Sequence, residues 1–214
     1  MSVEAVIWDF GGVFTTSPFE AFNRYEAQRG LPLDLIRTIN ATNPHDNAWA
    51  LFERAEIDAA GFDARFADEA RTLGHALRGS EVLPLLSGDV RPRMIEALAA
   101  CKARFKVGCI TNNVQGAGQG AGMASTAQKA AQVGEIMALF DAVIESSKIG
   151  VRKPDPRIYL MMCELLDVEP AACVYLDDLG INCKPAAQLG MVAIKVTSEA
   201  QALADLEKAT GLSF

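Results

Sequence analysis

The sequence has few of the residues on which several common kinds of site depend. It contains only two histidines, His45 and His75, so a histidine-based zinc site or a serine–histidine–aspartate triad is hard to build. The five cysteines are odd in number and include no C-x-x-C pair, which favours reduced, buried thiols over a disulfide framework. No apolar run reaches the roughly 18 residues that a membrane span needs, and the first residues do not resemble a signal peptide.

Basic residues are also scarce relative to acidic ones. Against 27 aspartates and glutamates stand 20 lysines and arginines, which gives a net charge of −7 over 214 residues. An acidic surface without a local run of lysine or arginine repels phosphate backbones and anionic lipid. We therefore expect no nucleic-acid partner and no membrane association, and the reduced cysteines favour a cytoplasmic location.

Short apolar segments alternate with helical patterns along most of the chain. The apolar runs predict strands over 3–8, 105–111, 142–144, 172–176 and 191–196. The intervening patterns predict helices over 92–102, 125–138, 156–166, 182–189 and 199–209. Strands separated by helices are typical of a parallel sheet in an α/β fold. The segment 17–88 shows only helical spacing, which indicates a helical block inserted after the first strand.

Polar residues follow four of the predicted strands, where an open parallel sheet binds its ligands. They are Asp9, the run Thr111-Asn112-Asn113, Lys153 and the pair Asp177-Asp178. Each is weak evidence by itself, because turns and helix caps use the same residue types. Together they form a coherent set. A carboxylate can attack phosphorus, a hydroxyl and an ammonium can hold phosphoryl oxygens, and an acidic pair can bind Mg²⁺.

A glycine-rich stretch, with Gly116, Gly118, Gly120 and Gly122, follows the second predicted strand. It matches neither the dinucleotide-binding nor the Walker pattern, because the required spacing and lysine are missing. We interpret it as a flexible loop that enters a helix.

Four segments in this order, VIWDFGGVFT, CITNN, VRKPDP and VYLDDLGIN, resemble the motifs of the haloacid dehalogenase (HAD) superfamily. The longer runs IESSKIGVRKPDPRIY and LDDLGINCKPAAQLGM resemble the branch that contains the N-terminal phosphatase domain of soluble epoxide hydrolase. The resemblance implies a Rossmann-like core domain at 1–16 and 89–214 and a small helical cap domain at 17–88. It also implies a Mg²⁺-dependent hydrolase, most simply a phosphatase of a small phosphorylated metabolite. The apolar faces of the cap are compatible with a monomer or a homodimer.

The resemblance assigns the reacting and phosphate-binding residues one by one. Asp9 matches the nucleophile, which would form an aspartyl-phosphate. Thr111 matches the hydroxyl that binds phosphate, with Asn112 beside it, and Lys153 matches the lysine that clamps the phosphoryl group.

The resemblance also implies a metal site. Asp9, the backbone carbonyl of Gly11 and Asp178 match the Mg²⁺ ligands, and Asp177 and Asn182 match supporting positions. Gly11 departs from the family pattern, because phosphatases of this family carry there a second aspartate that acts as acid and base. General acid–base help is worth about 10²- to 10⁴-fold, so Gly11 predicts slow turnover or a need for good leaving groups. The glycine turn also allows a positive φ at Gly11.

Three alternative functions compete with the phosphatase. A 2-haloacid dehalogenase would use Asp9 on carbon without metal, but its motifs differ from those found here, and the Asp177-Asp178 pair favours a cation. A phosphonatase needs a lysine in the cap, and the first lysine of this chain is Lys102. A HAD-fold binding or regulatory protein with little catalysis is favoured only by Gly11.

Five residues of the predicted cap are candidates for selecting the substrate. Each has a structural alternative, such as packing between helices or lying in an exposed turn. They are Asn43, His45, Trp49, Phe52 and Arg54.

Overall fold

The computed structural model describes residues 2–114 and 126–214, and the glycine-rich stretch lies outside these residues. Within them is a five-stranded, fully parallel sheet with the strand order β3-β2-β1-β4-β5. The strands are β1 (Ala5–Trp8), β2 (Lys106–Thr111), β3 (Ala142–Glu145), β4 (Cys173–Asp177) and β5 (Val192–Lys195). The predicted α/β class is confirmed, and the strand ends differ from the predicted ones by no more than two residues.

Helices cover both faces of the sheet because the strand side chains alternate in direction. Val6 and Trp8 of β1 belong to the apolar cluster that includes residues of α6 (Pro92–Lys102) and α11 (Glu199–Thr210). Ile7 belongs to the opposite cluster. The other helices of this part are α7 (Ala127–Met137), α8 (Ser146–Ile149), α9 (Pro156–Leu166) and α10 (Gly180–Gln188). Both faces of β1 are therefore buried, which explains its unbroken apolar sequence.

The segment between β1 and α6 is helical and has its own apolar cluster. Its helices are α1 (Pro18–Arg29), α2 (Leu35–Ala41), α3 (Ala48–Glu53), α4 (Ala59–Thr72) and α5 (Gly79–Val82). Phe62 lies at the centre of the cluster, 4.7 Å from the ring centroid of Trp49 and 4.9 Å from that of Phe52. We call this segment the helical block, and its division from the core at residues 17 and 89 remains a proposal.

A buried glutamate joins the first two helices of the helical block. Glu26 in α1 is fully buried, and its carboxylate accepts hydrogen bonds from the backbone amides of Asp34 and Ile36, each at 2.8 Å. These amides lie at the beginning of α2, where helical N–H groups have no partner within the helix. Glu26 therefore fixes the packing of α2 on α1.

Two neighbouring chain segments connect the helical block to the sheet. Thr15 and Val90 form an antiparallel bridge, Thr16 N donates to the carbonyl of Asp89 at 2.8 Å, and Arg91 N donates to that of Phe14 at 2.8 Å. The two chain connections of the block thus run side by side, close to the end of β1.

Two further expectations concern the whole described chain. All five cysteines are free and buried, as predicted. Among the described helices, none has the length and apolar character required to cross a membrane.

Candidate active site

The predicted polar residues meet at the carboxyl edge of the sheet. β1 lies between β2 and β4, so Asp9 after β1 stands between Thr111, which ends β2, and Asp177, which ends β4. The backbone amide of Asp9 donates to the carbonyl of Leu176 at 2.8 Å and continues the pairing of β1 with β4. The structure therefore brings these residues together by strand order.

Lys153 is the central cation of this edge. Its Nζ lies 2.7 Å from Asp9 Oδ1 and 2.8 Å from Asp177 Oδ2, and its side chain is 1% exposed. Burial lowers the pKa of the Lys153 ammonium, but the negative charges of Asp177 and Asp9 have the larger combined effect. The pKa of Lys153 is therefore raised. The Asn112 side chain holds the Lys153 backbone, accepting from its N–H at 2.9 Å and donating to its carbonyl at 3.0 Å. Asn112 thus positions Lys153.

Asp177 acts on the site through Lys153. It is fully buried and also accepts from Tyr175 Oη at 2.6 Å, from the Leu179 amide at 2.8 Å, and from Asn182 Nδ2 at 3.1 Å on each oxygen. Both carboxylate oxygens are therefore occupied. In the described structure Asp177 and Asn182 hold Lys153 in place, and their predicted support of a metal site stays a prediction.

Asp178 turns toward the loop after β1. Gly12 in that loop has φ +72°, and a Cβ added there would overlap the Asp178 carboxylate. The positive φ thus occurs at Gly12 and not at Gly11, where a Cβ would meet no atom within 4 Å. The Arg91 guanidinium donates to the carbonyl of Gly12 at 2.7 Å and holds this loop from the other side.

The acidic residues at this edge exceed the positive charge near them. Carboxylate oxygens of Asp9, Asp177 and Asp178 lie within 4.8 Å of one another, and the buried ammonium beside them is that of Lys153. Burial, only partly offset by Lys153, raises the pKa of Asp9 to about 8, and burial together with the charge of Asp177 raises that of Asp178 to about 7. An all-oxygen donor set with excess negative charge fits a hard divalent cation such as Mg²⁺.

A cavity of about 330 Å³ opens above these residues, between the sheet edge and the helical block. This volume suits a small ligand. The sheet side of its wall includes Asp9, Gly11, Thr111, Asn112, Lys153, Asp178 and Asn182. The helical block contributes Pro18, Phe19, Trp49, Glu53 and Leu86. A second cavity of about 430 Å³ shares these five block residues.

A group of contacts between the helical block and the core was not predicted from the sequence. Glu53 Oε2 lies 2.6 Å from Arg152 Nε and 3.2 Å from Asn112 Nδ2, and Ser146 Oγ donates to the Glu53 carbonyl at 2.7 Å. Arg152 Nη1 also donates to the carbonyl of Pro44 at 3.0 Å. Glu53 is the last residue of the short apolar helix α3, and its partners Arg152 and Asn112 are far away in the chain, so the sequence around it does not indicate these contacts.

The structure separates the five candidate selectivity residues. Trp49 lines both cavities, and His45 lines the second. Phe52 packs inside the helical block, and Arg54 pairs with Glu56 at 2.5 Å. Asn43 has φ +48° in a turn and, like Phe52 and Arg54, is absent from the walls of these two cavities.

Comparisons with known proteins identify the family of this chain. A family model described as haloacid dehalogenase-like hydrolase matches residues 3–190, and the chain belongs to this family of hydrolases. Mouse bifunctional epoxide hydrolase 2 is 40% identical over 124 residues, which cover 58% of this chain and 22% of that protein. The chain thus spans about a fifth of the length of that relative.

Two further likenesses cover nearly the whole chain. "Phosphatase MT3486" of Mycobacterium tuberculosis is 28% identical over 218 residues, covering 94% of this chain and 90% of that protein. The crystal structure of a HAD family enzyme from Bacteroides thetaiotaomicron, in complex with magnesium and inorganic phosphate, superposes with a TM-score of 0.55 at 18% identity, covering 90% and 93% of the two chains. The structural likeness shows the Rossmann-like HAD fold.

Proposed function

We propose that this protein is a Mg²⁺-dependent phosphatase that hydrolyses a small phosphate ester through an aspartyl-phosphate at Asp9. The observation that carries the proposal is the single wall on which Asp9, Lys153, Thr111 and Asp178 face one cavity. Phosphoryl transfer needs positioning and charge stabilisation more than covalent chemistry, and this wall can supply both.

The first step is attack of the Asp9 carboxylate on phosphorus. Lys153 holds Oδ1, so we assign the attack to Oδ2. The bond from phosphorus to the ester oxygen breaks as the bond to Asp9 forms. Thr111 and Lys153 bind the phosphoryl oxygens, and water then attacks the aspartyl-phosphate to release phosphate and regenerate Asp9.

The cation would be held by Asp9, Asp178 and the backbone carbonyl of Gly11. When bound, Mg²⁺ reduces the repulsion between the anionic nucleophile and the anionic substrate. Asp177 and Asn182 would keep Lys153 in place while this charge is neutralised.

Two alternatives are distinguished by particular observations. L-2-haloacid dehalogenases share this fold, so the fold alone does not separate the chemistries. The three clustered carboxylates favour the metal-dependent phosphatase, because the Lys153 ammonium offsets only part of their negative charge and a further cation would relieve the repulsion on the nucleophile. A binding protein with little turnover is supported only by Gly11.

The decisive experiment compares wild type and Asp9→Asn with p-nitrophenyl phosphate, in Mg²⁺ and in EDTA. We expect hydrolysis by wild type in Mg²⁺ only and none by Asp9→Asn, whose thermal midpoint should stay close to that of wild type because Lys153 keeps its pairing with Asp177. Dehalogenation of 2-chloropropionate in EDTA would establish the dehalogenase instead. Phosphate binding without turnover would establish the binding protein.

A further inference from the structure

Hydrolysis of an alkyl phosphate needs a proton on the departing oxygen, because an alkoxide is a poor leaving group. Gly11 offers no side chain for this purpose. Among the described residues that line the 330 Å³ cavity, three carry a carboxyl group: Asp9, Glu53 and Asp178.

Two of these carboxyl groups already have roles in the proposed function. Asp9 attacks phosphorus, and Asp178 belongs to the cation site. Asp177 is outside this wall, and its two oxygens are occupied by hydrogen bonds. Glu53 is the carboxyl that remains.

Glu53 also lies on the appropriate side of the cavity. In-line displacement places the nucleophile and the leaving group on opposite sides of phosphorus. Asp9 belongs to the sheet edge, whereas Glu53 is the last residue of α3 in the helical block that closes the cavity. A leaving group that points away from Asp9 therefore points toward the helical block.

The contacts of Glu53 hold the carboxyl in one orientation. Within the described structure, Arg152 Nε at 2.6 Å and Asn112 Nδ2 at 3.2 Å both bind Oε2. Oε1 is therefore the oxygen that we assign to the substrate. The same Asn112 amide contacts the Lys153 carbonyl at 3.0 Å, so Glu53 and the phosphate-clamping lysine share one support.

We propose that Glu53 is the general acid that protonates the leaving-group oxygen. The proposal rests on the phosphatase function above. The Glu53 proton passes to the ester oxygen as its bond to phosphorus breaks and the Asp9–phosphorus bond forms, and the alcohol departs. The Glu53 carboxylate then takes a proton from the water that attacks the aspartyl-phosphate, which restores both residues.

The surroundings of Glu53 favour a protonated form more than those of an exposed glutamate. Burial raises the pKa of Glu53, and the opposing effects of Arg152, Lys153 and the Asn112 amide do not cancel it. The rate of the acid-dependent step should then fall as the pH rises through this raised pKa.

The experiment measures kcat/KM for propyl phosphate and p-nitrophenyl phosphate in wild type, Glu53→Gln and the control Glu56→Gln. This parameter reports the steps through release of the first product. Glu53→Gln should lower kcat/KM for propyl phosphate by about 10²- to 10⁴-fold, with little change for p-nitrophenyl phosphate, whose leaving group needs no acid. The alkaline fall of the propyl phosphate rate should disappear in Glu53→Gln. Glu56 is exposed and pairs with Arg54, so its variant should match wild type.

Each other outcome has a distinct meaning. Equal losses for both esters in a folded Glu53→Gln protein would make Glu53 a structural contact only and overturn the proposal. If Glu53→Gln fails to fold, Glu53→Asp decides: it retains a carboxyl group, so it should keep the alkaline fall of the propyl phosphate rate, and loss of that fall would overturn the proposal. A wild type that hydrolyses neither ester and forms no phosphate adduct at Asp9 would overturn the phosphatase assignment and this proposal with it.

Discussion

The helical block and the sheet edge both bury carboxylates, but they stabilise them differently. Glu26 in the helical block accepts hydrogen bonds from two backbone amides at the beginning of α2. At the sheet edge, oxygens of Asp9, Asp177 and Asp178 lie within 4.8 Å of one another, and the ammonium of Lys153 contacts Asp9 and Asp177.

The comparison separates structural from functional use of a buried charge. Each oxygen of the Glu26 carboxylate accepts a backbone N–H, so this buried charge is stabilised within the protein. Burial, with a smaller contribution from repulsion by neighbouring carboxylates, raises the pKa of Asp9 to about 8 and that of Asp178 to about 7, so the charged forms of both remain destabilised. Unbalanced charge of this kind is common at sites that bind or react.

The largest effect should come from removing the Lys153 ammonium, which pairs with Asp9 and Asp177. Lys153→Met leaves Asp9 and Asp177 buried without their cation, and breaking a buried pair in this way costs about 3–5 kcal/mol. We expect a loss of this size in the free energy of unfolding by urea, together with loss of phosphatase activity. Combining Lys153→Met with Asp9→Asn should recover part of the stability. Additive losses would mean that the two groups do not interact.

Stability should also depend on pH in a direction opposite to that of a salt-bridged carboxylate. The folded pKa values of Asp9 and Asp178 lie above the ordinary 3.8, so the folded state holds their protons longer than the unfolded state. Their contribution is fully present below about pH 4 and is lost as the pH rises to about 8. Without Mg²⁺, the free energy of unfolding of wild type should fall over this interval, and Asp178→Asn should reduce the slope. Equal slopes in wild type and Asp178→Asn would mean that Asp178 does not contribute to this pH dependence.

Glu26→Gln tests the other side of the comparison. A glutamine cannot accept both amides equally well and leaves a buried polar group imperfectly paired, which costs about 1–3 kcal/mol. Thermal unfolding should show this loss, while kcat/KM for p-nitrophenyl phosphate in the folded variant should stay near that of wild type. A large loss of catalysis at unchanged stability would mean that Glu26 is needed for activity, as the carboxylates at the sheet edge are.

The smallest effects should come from the two adjacent glycines, which form a matched pair. Gly12→Ala meets both a positive φ and the Asp178 carboxylate, so it should cost about 1–2 kcal/mol and raise the Mg²⁺ concentration needed for activity. Gly11→Ala meets no atom within 4 Å and should change stability by no more than about 0.5 kcal/mol. Calorimetry with Mg²⁺ titration compares the two variants. Equal effects would contradict the assignment of the strained position.

The features that were predictable from sequence are those with a local signal. β1 and β4 are buried on both faces and therefore form unbroken apolar runs, and polar residues at their ends mark the ligand-binding edge. The contact of Glu53 with Arg152 joins residues 99 positions apart in the chain, so no local pattern marked it. The positive φ was expected at Gly11 and occurs at Gly12, because two adjacent glycines look alike in sequence and only the approach of Asp178 distinguishes them.

By itself, the sequence determined the parallel α/β core, the inserted helical block and the residue types that meet at the sheet edge. These features are predictable because the hydrophobic period and the residues at strand ends are visible in short stretches of sequence. Only the tertiary structure decided how the charges at that edge are shared. The Asp177 carboxylate accepts hydrogen bonds from Lys153, Tyr175 and Asn182. The Asp178 side chain turns toward Gly12 instead, although the two aspartates are neighbours in the chain. Such a division depends on which groups approach from other strands and loops, and these approaches exist only after the chain has folded.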